Sequence, residues 1–121
     1  MYHVWRDMCK TKTAVTCLTE PRFNDKQKED FNRLFRCTLR LEFSQNPNTA
    51  DAMGVAVLLN KNLVKTTGII TREVVPGRAM LVEMRNVSNS PLSILIVYTP
   101  NTSGENAMFW RTIQQWFVDN N

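Results

Sequence analysis

An apolar run, Ser93–Val97, leads directly into the sequence Tyr98-Thr99-Pro100-Asn101. Pro100 fixes its own φ, so a phenol and a carboxamide would be held in a set relation at the edge of a sheet. Both groups can donate hydrogen bonds to a phosphate oxygen and stabilise charge in a transition state. A tyrosine at a strand end and an asparagine in a turn are also ordinary neighbours, and taken alone the pair favours that interpretation.

Two more side chains stand where a sheet would present them at an edge. Glu20 directly follows the apolar run AVTCL, and a carboxylate there could hold a hard cation such as Mg²⁺. Arg78 follows Pro76-Gly77, where a guanidinium could bind a phosphate with two parallel hydrogen bonds. From position alone, Glu20 is better explained as a solvated side chain at a strand end than as a metal ligand. For Arg78, a solvated surface position and a phosphate-binding role have equal weight. His3 is the only histidine, and it has no Ser, Cys or carboxylate partner at a recognisable spacing, so we predict no catalytic role for it.

The composition indicates a single globular domain. The chain has 121 residues, of which 43% are hydrophobic, and this is enough for one core. The net charge of +4 suits a polyanionic partner but is also common among ordinary proteins. Cys9, Cys17 and Cys37 have no CxxC spacing, so we expect free thiols, with Cys17 in a buried strand.

No apolar run approaches the ~20 residues of a membrane span, and the amino terminus has no signal-peptide pattern. The sequence therefore predicts a soluble, intracellular protein, nuclear or cytoplasmic and not secreted, with no membrane partner.

The first half of the chain alternates helices and strands. We expect, in order, a helix over residues 1–10, a strand over 14–18, a helix over 25–35, a loop over 44–52 and a strand over 54–59 that is apolar on both faces. Asn24 can cap the second helix, with Gln27 completing a capping box. Phe31, Leu34 and Phe35 are predicted to form its core face.

The second half predicts an antiparallel meander followed by a helix. Strands are expected over residues 66–75, 78–84 and 92–97, with turns at 76–77 and 86–91. Thr102 and Glu105 have capping-box spacing and open a helix to about Val118. Its apolar stripe is predicted to hold Ala107, Trp110, Ile113 and Phe117. Strands apolar on both faces need cover on each side, and this stripe needs more sheet than these strands supply.

The order and spacing of these pieces resemble the endonuclease/exonuclease/phosphatase family, which has the fold of deoxyribonuclease I and the apurinic endonucleases. KTAVTCLTEPRFNDKQKEDFNRLF resembles the segment in which a strand ends at a metal-binding glutamate and a polar helix follows. AMGVAVLLNK is similar to the family's next Gly-Val-Ala strand, and PGRAMLVEMRNVSNSPLSILIVYTPN to its Gly-Arg strand, turn and Tyr-x-Pro-Asn strand. ENAMFWRTIQQW resembles the helix that follows in nuclease domains of LINE-type, particularly fungal, retrotransposons.

This resemblance implies a role for each candidate residue. Glu20 would bind the metal, Mg²⁺ or Mn²⁺ in its place. Tyr98 and Asn101 would contact the scissile phosphate of DNA, and Arg78 matches the arginine of the Gly-Arg strand. The implied fold class is α/β (α+β): a partial deoxyribonuclease-I-like β-sandwich of mostly antiparallel sheet flanked by helices. Residues 1–121 would then be the amino-terminal part of one such domain.

The sequence also departs from the family pattern. Thr19 and Pro21 replace a glutamine and a threonine beside Glu20, and the family's Gly-Asp-Phe-Asn and Ser-Asp-His motifs do not occur in the 121 residues. We therefore expect a fragment of a retroelement's Mg²⁺-dependent DNA endonuclease, a phosphodiesterase that is inactive alone. Two alternatives stay open: a non-catalytic remnant or nucleic-acid- or protein-binding module, and a small-molecule phosphoesterase.

Overall fold

The computed structural model describes residue 8 and residues 10–19, 24–45 and 54–120. The strands are β1 (Val15–Thr19), β2 (Leu39–Ser44), β3 (Val55–Asn60), β4 (Val64–Val75), β5 (Ala79–Asn86) and β6 (Pro91–Val97). The helices are α1 (Asp25–Leu34) and α2 (Ser103–Asp119). The predicted elements within these ranges are confirmed to within two residues at each end. The helix expected over residues 1–10 falls largely outside the described residues.

The strands form two antiparallel three-stranded sheets. The first sheet has the order β1-β3-β2, and the second is the predicted meander β4-β5-β6. Sequence reasoning assigned no structure to residues 36–43 and so missed β2. This strand alternates apolar residues with Arg40 and Glu42, and it begins only a short turn after α1.

Three apolar clusters place the helices and sheets in four layers. Val55, Val57 and Leu59 on one face of β3 pack against Met80, Val82 and Ile96 of the second sheet. The opposite face of β3 packs with β2 and with the aromatic residues of α1. Phe109 and Ile113 of α2 cover the outer face of the second sheet. The order of layers is therefore α1, first sheet, second sheet, α2, and the predicted cover on both faces of β3 is confirmed.

Helix α1 is capped as predicted and lies over the outer face of the first sheet, beside the free edge of β2. Asn24 Oδ1 accepts from the Gln27 amide at 2.8 Å, and Gln27 Oε1 accepts from the Asn24 amide at 3.0 Å. Asn32 pairs with the free edge of β2, accepting from the Leu41 amide at 2.7 Å and donating to the Leu41 carbonyl at 3.1 Å. Leu34 is 68% exposed, so its predicted core position is wrong. Because α1 sits at an edge, only part of its apolar face is covered.

Glu42 is a buried carboxylate on β2. Lys28 of α1 approaches it at 3.0 Å, and Arg40 lies 2.7 Å from its other oxygen. A buried charge is tolerated when it is paired and hydrogen-bonded in this way. The pair of cations therefore explains how β2 carries a carboxylate that its sequence pattern would place in water.

Helix α2 begins at its predicted cap but buries a different stripe. Thr102 Oγ1 accepts from the Glu105 amide at 3.3 Å. The residues packed on the second sheet are Phe109, Ile113 and Trp116. Trp110 and Phe117 are 46% and 39% exposed, and Ala107 is also exposed. The predicted and the observed buried stripes share Ile113, and both fit helical spacing. Periodicity therefore does not distinguish them, and packing on the second sheet decides which stripe is buried.

Cys17 and Cys37 are free and exposed. The burial predicted for Cys17 is wrong because β1 is an edge strand, although local desolvation still raises the pKa of the Cys17 thiol. Within the described ranges no helix is long and apolar enough to cross a membrane.

We predict that Asn32→Ala destabilises the chain by about 1–3 kcal/mol. The substitution removes both hydrogen bonds to Leu41 and leaves part-buried backbone groups without partners. Urea denaturation followed by circular dichroism measures the change. Glu29→Ala, at an exposed position of the same helix, is the control. Equal stabilities of the two variants would contradict the role given to Asn32.

We also predict that the chain self-associates through β6. Among the edge strands, β1 has only five residues, the β2 edge is covered by Asn32, and β4 carries register shifts and charged residues. The remaining edge strand, β6, is apolar and pairs only with β5 among the described strands. Unprotected edges of this kind template pairing with another chain.

Ser93→Lys should therefore shift the protein toward monomer, because Ser93 is exposed on this strand. Thr71→Lys places the same charge on β4 and should have little effect. Size-exclusion chromatography with light scattering measures both variants. A wild-type monomer that melts cooperatively above about 60 °C would contradict the prediction.

Candidate functional site

Strand ends from both sheets meet at one end of the sandwich. In the first sheet, Thr19 at the end of β1 and Ser44 at the end of β2 both pair with Val55. In the second sheet, Ala79 at the start of β5 pairs with Val75 and Val97, the last residues of β4 and β6. We call this the site end. Thr19, the residue before Glu20, lies at this end, and so do the residues that directly follow Gly77 and Val97.

Ser44 joins the two sheets at the site end. Its hydroxyl is buried, donates to Glu73 Oε1 at 2.8 Å and accepts from the Gly77 amide at 2.9 Å. Gly77 has a φ of +76°, a conformation that glycine adopts without a steric penalty. The Arg78 amide closes this turn by donating to the Val75 carbonyl at 2.9 Å. The backbone that carries Arg78 is therefore anchored to the first sheet.

Arg78 and Tyr98, which the sequence predicted as site residues, are in direct contact. The Tyr98 amide donates to the Arg78 carbonyl at 2.7 Å, extending the β5–β6 pairing by one step. The Arg78 Nη1 donates to the Tyr98 carbonyl at 3.3 Å, and its guanidinium carbon lies 5.3 Å from the centre of the tyrosine ring. This distance is within cation–π range, so the ring helps to hold the guanidinium at the sheet edge.

Arg78 keeps a positive charge at the site end. Both Arg78 and Tyr98 are half-buried, and within the described ranges no carboxylate pairs with the guanidinium. A guanidinium has five N–H donors, more than the single bond to Tyr98 uses. The remaining donors can meet an anion, and a phosphate oxygen fits that geometry.

Asn101 is exposed in the connection between β6 and α2. It directly precedes Thr102, the cap of α2, so the amino terminus of that helix lies beside it. The unpaired amides of a helix amino terminus add positive potential, which favours an anion nearby. Asn101 thus lies three residues beyond Tyr98 in the chain, and among the described residues no hydrogen bond joins it to Arg78.

Glu20 lies outside the described residues, so its predicted metal role stays a prediction. Thr19, which precedes it, is the last residue of β1 at the site end. In the described ranges no three His, Cys, Asp or Glu side chains are grouped closely enough to hold a metal ion. The described residues do not by themselves fit an Mg²⁺ site. What they offer is a set of hydrogen-bond donors: a guanidinium, a phenol and a carboxamide.

Ser44 and Glu73 are the members of this end that sequence reasoning missed. Ser44 was assigned to a loop because β2 was not predicted. The alternation Leu39-Arg40-Leu41-Glu42-Phe43 was the available signal, since period-2 patterning predicts a half-buried strand and Ser44 is its end.

Comparison of the chain with protein-family models, curated proteins and solved structures returns no match.

We predict that Ser44→Ala lowers stability by about 1–3 kcal/mol, because the buried Gly77 amide loses its acceptor. Ser90→Ala, at an exposed turn position, should change little. Urea denaturation of both variants is the measurement. If Ser44→Ala is as stable as Ser90→Ala, the hydroxyl does not join the sheets as described.

Proposed function

We propose that this chain carries the phosphate-binding part of a Mg²⁺-dependent, deoxyribonuclease-I-like DNA endonuclease domain of a LINE-type retroelement. The observation that carries the proposal is the contact of Arg78 with Tyr98 at the site end. The sequence predicted site residues on three segments that are far apart in the chain. One segment ends at Thr19, one starts at Arg78 and one follows Val97, and all three lie at the site end.

The architecture supports this proposal. A sandwich of two antiparallel sheets with a helix on each outer face is what the family resemblance led us to expect. The supporting detail is the positioning of the strand ends: Ser44 anchors the Gly77 turn across the two sheets, so the guanidinium is pre-oriented. Pre-oriented donors stabilise charge at a reacting phosphate without reorganisation during the reaction.

Each residue has a distinct task in this proposal. Arg78 neutralises a non-bridging phosphate oxygen, held in place by the ring and carbonyl of Tyr98. The Tyr98 hydroxyl and the Asn101 amide donate to phosphate oxygens from the loop that leads into α2. An Mg²⁺ ion held by Glu20 would add Lewis-acid stabilisation of the phosphate charge.

Activation of water is not assigned to any described residue. The chain contains one histidine, His3, and no Gly-Asp-Phe-Asn or Ser-Asp-His sequence. General-base catalysis needs a positioned proton acceptor near the attacking water. The 121-residue chain should consequently bind phosphodiesters without cleaving them.

A non-catalytic nucleic-acid-binding module is the second candidate. The contact of the Arg78 guanidinium with the Tyr98 ring supports this second function, because such a pair can bind a phosphate whether or not a reaction follows. The two functions differ in what happens when the absent catalytic segments are supplied.

We predict that a chimera restores cleavage while the chain alone does not cleave. The chimera joins residues 1–121 to the first strand and the Gly-Asp-Phe-Asn and Ser-Asp-His segments of an active LINE-type nuclease. Nicking of supercoiled plasmid with Mg²⁺ is measured. In the chimera Glu20→Gln should reduce the rate most, and Tyr98→Phe and Asn101→Ala should each reduce it by about 10²–10³-fold, as when one transition-state donor is lost.

Thr19→Gln combined with Pro21→Thr should raise the rate of the chimera, since these restore the family residues beside Glu20. Arg111→Gln, an exposed change on α2, is the control and should leave the rate unchanged. Cleavage by the chimera that is equally fast with Glu20 intact or replaced would overturn the metal assignment. Metal-dependent nicking by the 121-residue chain that disappears in Glu20→Ala would overturn the expectation that it is inactive alone.

A further inference from the structure

Six cationic side chains are gathered at the opposite end of the sandwich from Arg78. We call this surface the basic end. Its members are Lys10, Lys12, Arg36, Lys61, Lys65 and Arg85. All are exposed except Lys61, which is half-buried.

Backbone contacts bring the segments of the basic end together. The Asn60 amide donates to the Ala14 carbonyl at 2.8 Å, so the segment carrying Lys10 and Lys12 lies beside the end of β3. The Lys61 amide donates to the Thr38 carbonyl at 2.9 Å, and the Lys61 ammonium donates to the Arg36 carbonyl. Lys65 and Arg85 are direct cross-strand partners where β4 begins and β5 ends.

The charges of the basic end are not neutralised by the protein. Five cations elsewhere form ion pairs with carboxylates: Lys26, Lys28, Arg33, Arg40 and Arg72. None of the six does so within the described ranges, and Glu83, two residues from Arg85, is paired with Arg72 at 3.6 Å. Two like charges directly opposite each other on neighbouring strands destabilise a sheet. Lys65 and Arg85 form such a pair. An anionic partner would relieve this repulsion.

We propose that the basic end binds the sugar-phosphate backbone of a nucleic acid, separately from the Arg78–Tyr98 site. Beside the exposed Val87, the side chains between the cations include short exposed amides and hydroxyls: Asn62, Ser88, Asn89 and Ser90. Such groups donate to phosphate and sugar oxygens, which make up most protein–nucleic acid hydrogen bonds. The exposed aromatic residues Trp110 and Phe117, which a lipid surface would engage, lie instead on α2.

The two surfaces take different segments of nucleic acid. Strands of six to eight residues separate them, a span of roughly 20–27 Å at ~3.3 Å per residue. The basic end therefore holds a segment of nucleic acid other than the phosphodiester at Arg78, whether or not the Arg78–Tyr98 site is catalytic.

A matched pair of triple variants tests the inference. Lys10→Gln, Arg36→Gln and Lys65→Gln together remove three exposed charges of the basic end. Lys26→Gln, Arg33→Gln and Arg111→Gln remove the same net charge from the two helices and disturb only exposed ion pairs, which contribute little stability. Affinity of the full chain for fluorescent 20-nucleotide single-stranded and duplex DNA and RNA is measured by anisotropy between 50 and 200 mM salt.

The basic-end triple should weaken binding on the order of tenfold and reduce the salt slope by about 2–3, since each phosphate contact adds ~0.7–0.9 to that slope. The helix triple should change both much less. Equal losses in the two triples would reduce the effect to net charge and overturn the proposal. Binding to phosphatidylserine vesicles but to no nucleic acid would also overturn it.

A second measurement needs no substitution. Lysine acetylation with and without DNA, read by mass spectrometry, should show protection of Lys10, Lys61 and Lys65 while Lys26 stays reactive. Protection of Lys26 instead of these three would count against the basic end as the binding surface.

Discussion

Burial of β3 on both faces is the constraint on which the rest of the structure depends. Every residue from Val55 to Asn60 is buried, so one face needs the second sheet and the other needs α1 with its neighbours. Each buried Val or Leu contributes about 1.5–3 kcal/mol, and β3 supplies four of them between positions 55 and 59: Val55, Val57, Leu58 and Leu59. Two layers must therefore meet on this one strand, and their strand ends are brought together as a consequence.

The site end follows from that packing and from one polar contact. The apolar core fixes the distance between the sheets, but it does not fix how their ends are aligned. Ser44 does, because its hydroxyl bonds both to Glu73 and to the Gly77 amide. Arg78 follows Gly77, and Tyr98 pairs with Arg78 across the β5–β6 ladder. A change at Ser44 thus reaches Arg78 through a single residue of backbone, Gly77, without any contact between Ser44 and a ligand.

The sequence was most informative where local chemistry decides the structure. The Asn24–Gln27 capping box, the Thr102 cap and the turns that join the meander each depend on residues close in sequence, so their patterns were sufficient. It was least informative where long-range packing decides. Leu34 and Trp110 lie on predicted apolar stripes yet are exposed, because the edge position of α1 and the rotation of α2 on its sheet are set by distant residues. No element was predicted over β2, which carries the charges Arg40 and Glu42, and Glu42 is buried in the fold through its ion pairs with Lys28 and Arg40.

The same antiparallel topology accounts for the separation of charge along the molecule. Strand ends that carry Tyr98, Gly77 and Ser44 lie at one end, where Arg78 stands without a carboxylate partner among the described residues, and the turns at the other end carry Lys61 and Arg85. Salt bridges occupy the space between them, on α1, β2 and the β4–β5 pair. Exposed paired charges project a weaker field than unpaired ones, so the unpaired cations gathered at the two ends give those ends a stronger positive potential than the ion-paired surface between them. The alignment of the sheets through Ser44 then sets the position of the two cationic ends relative to each other.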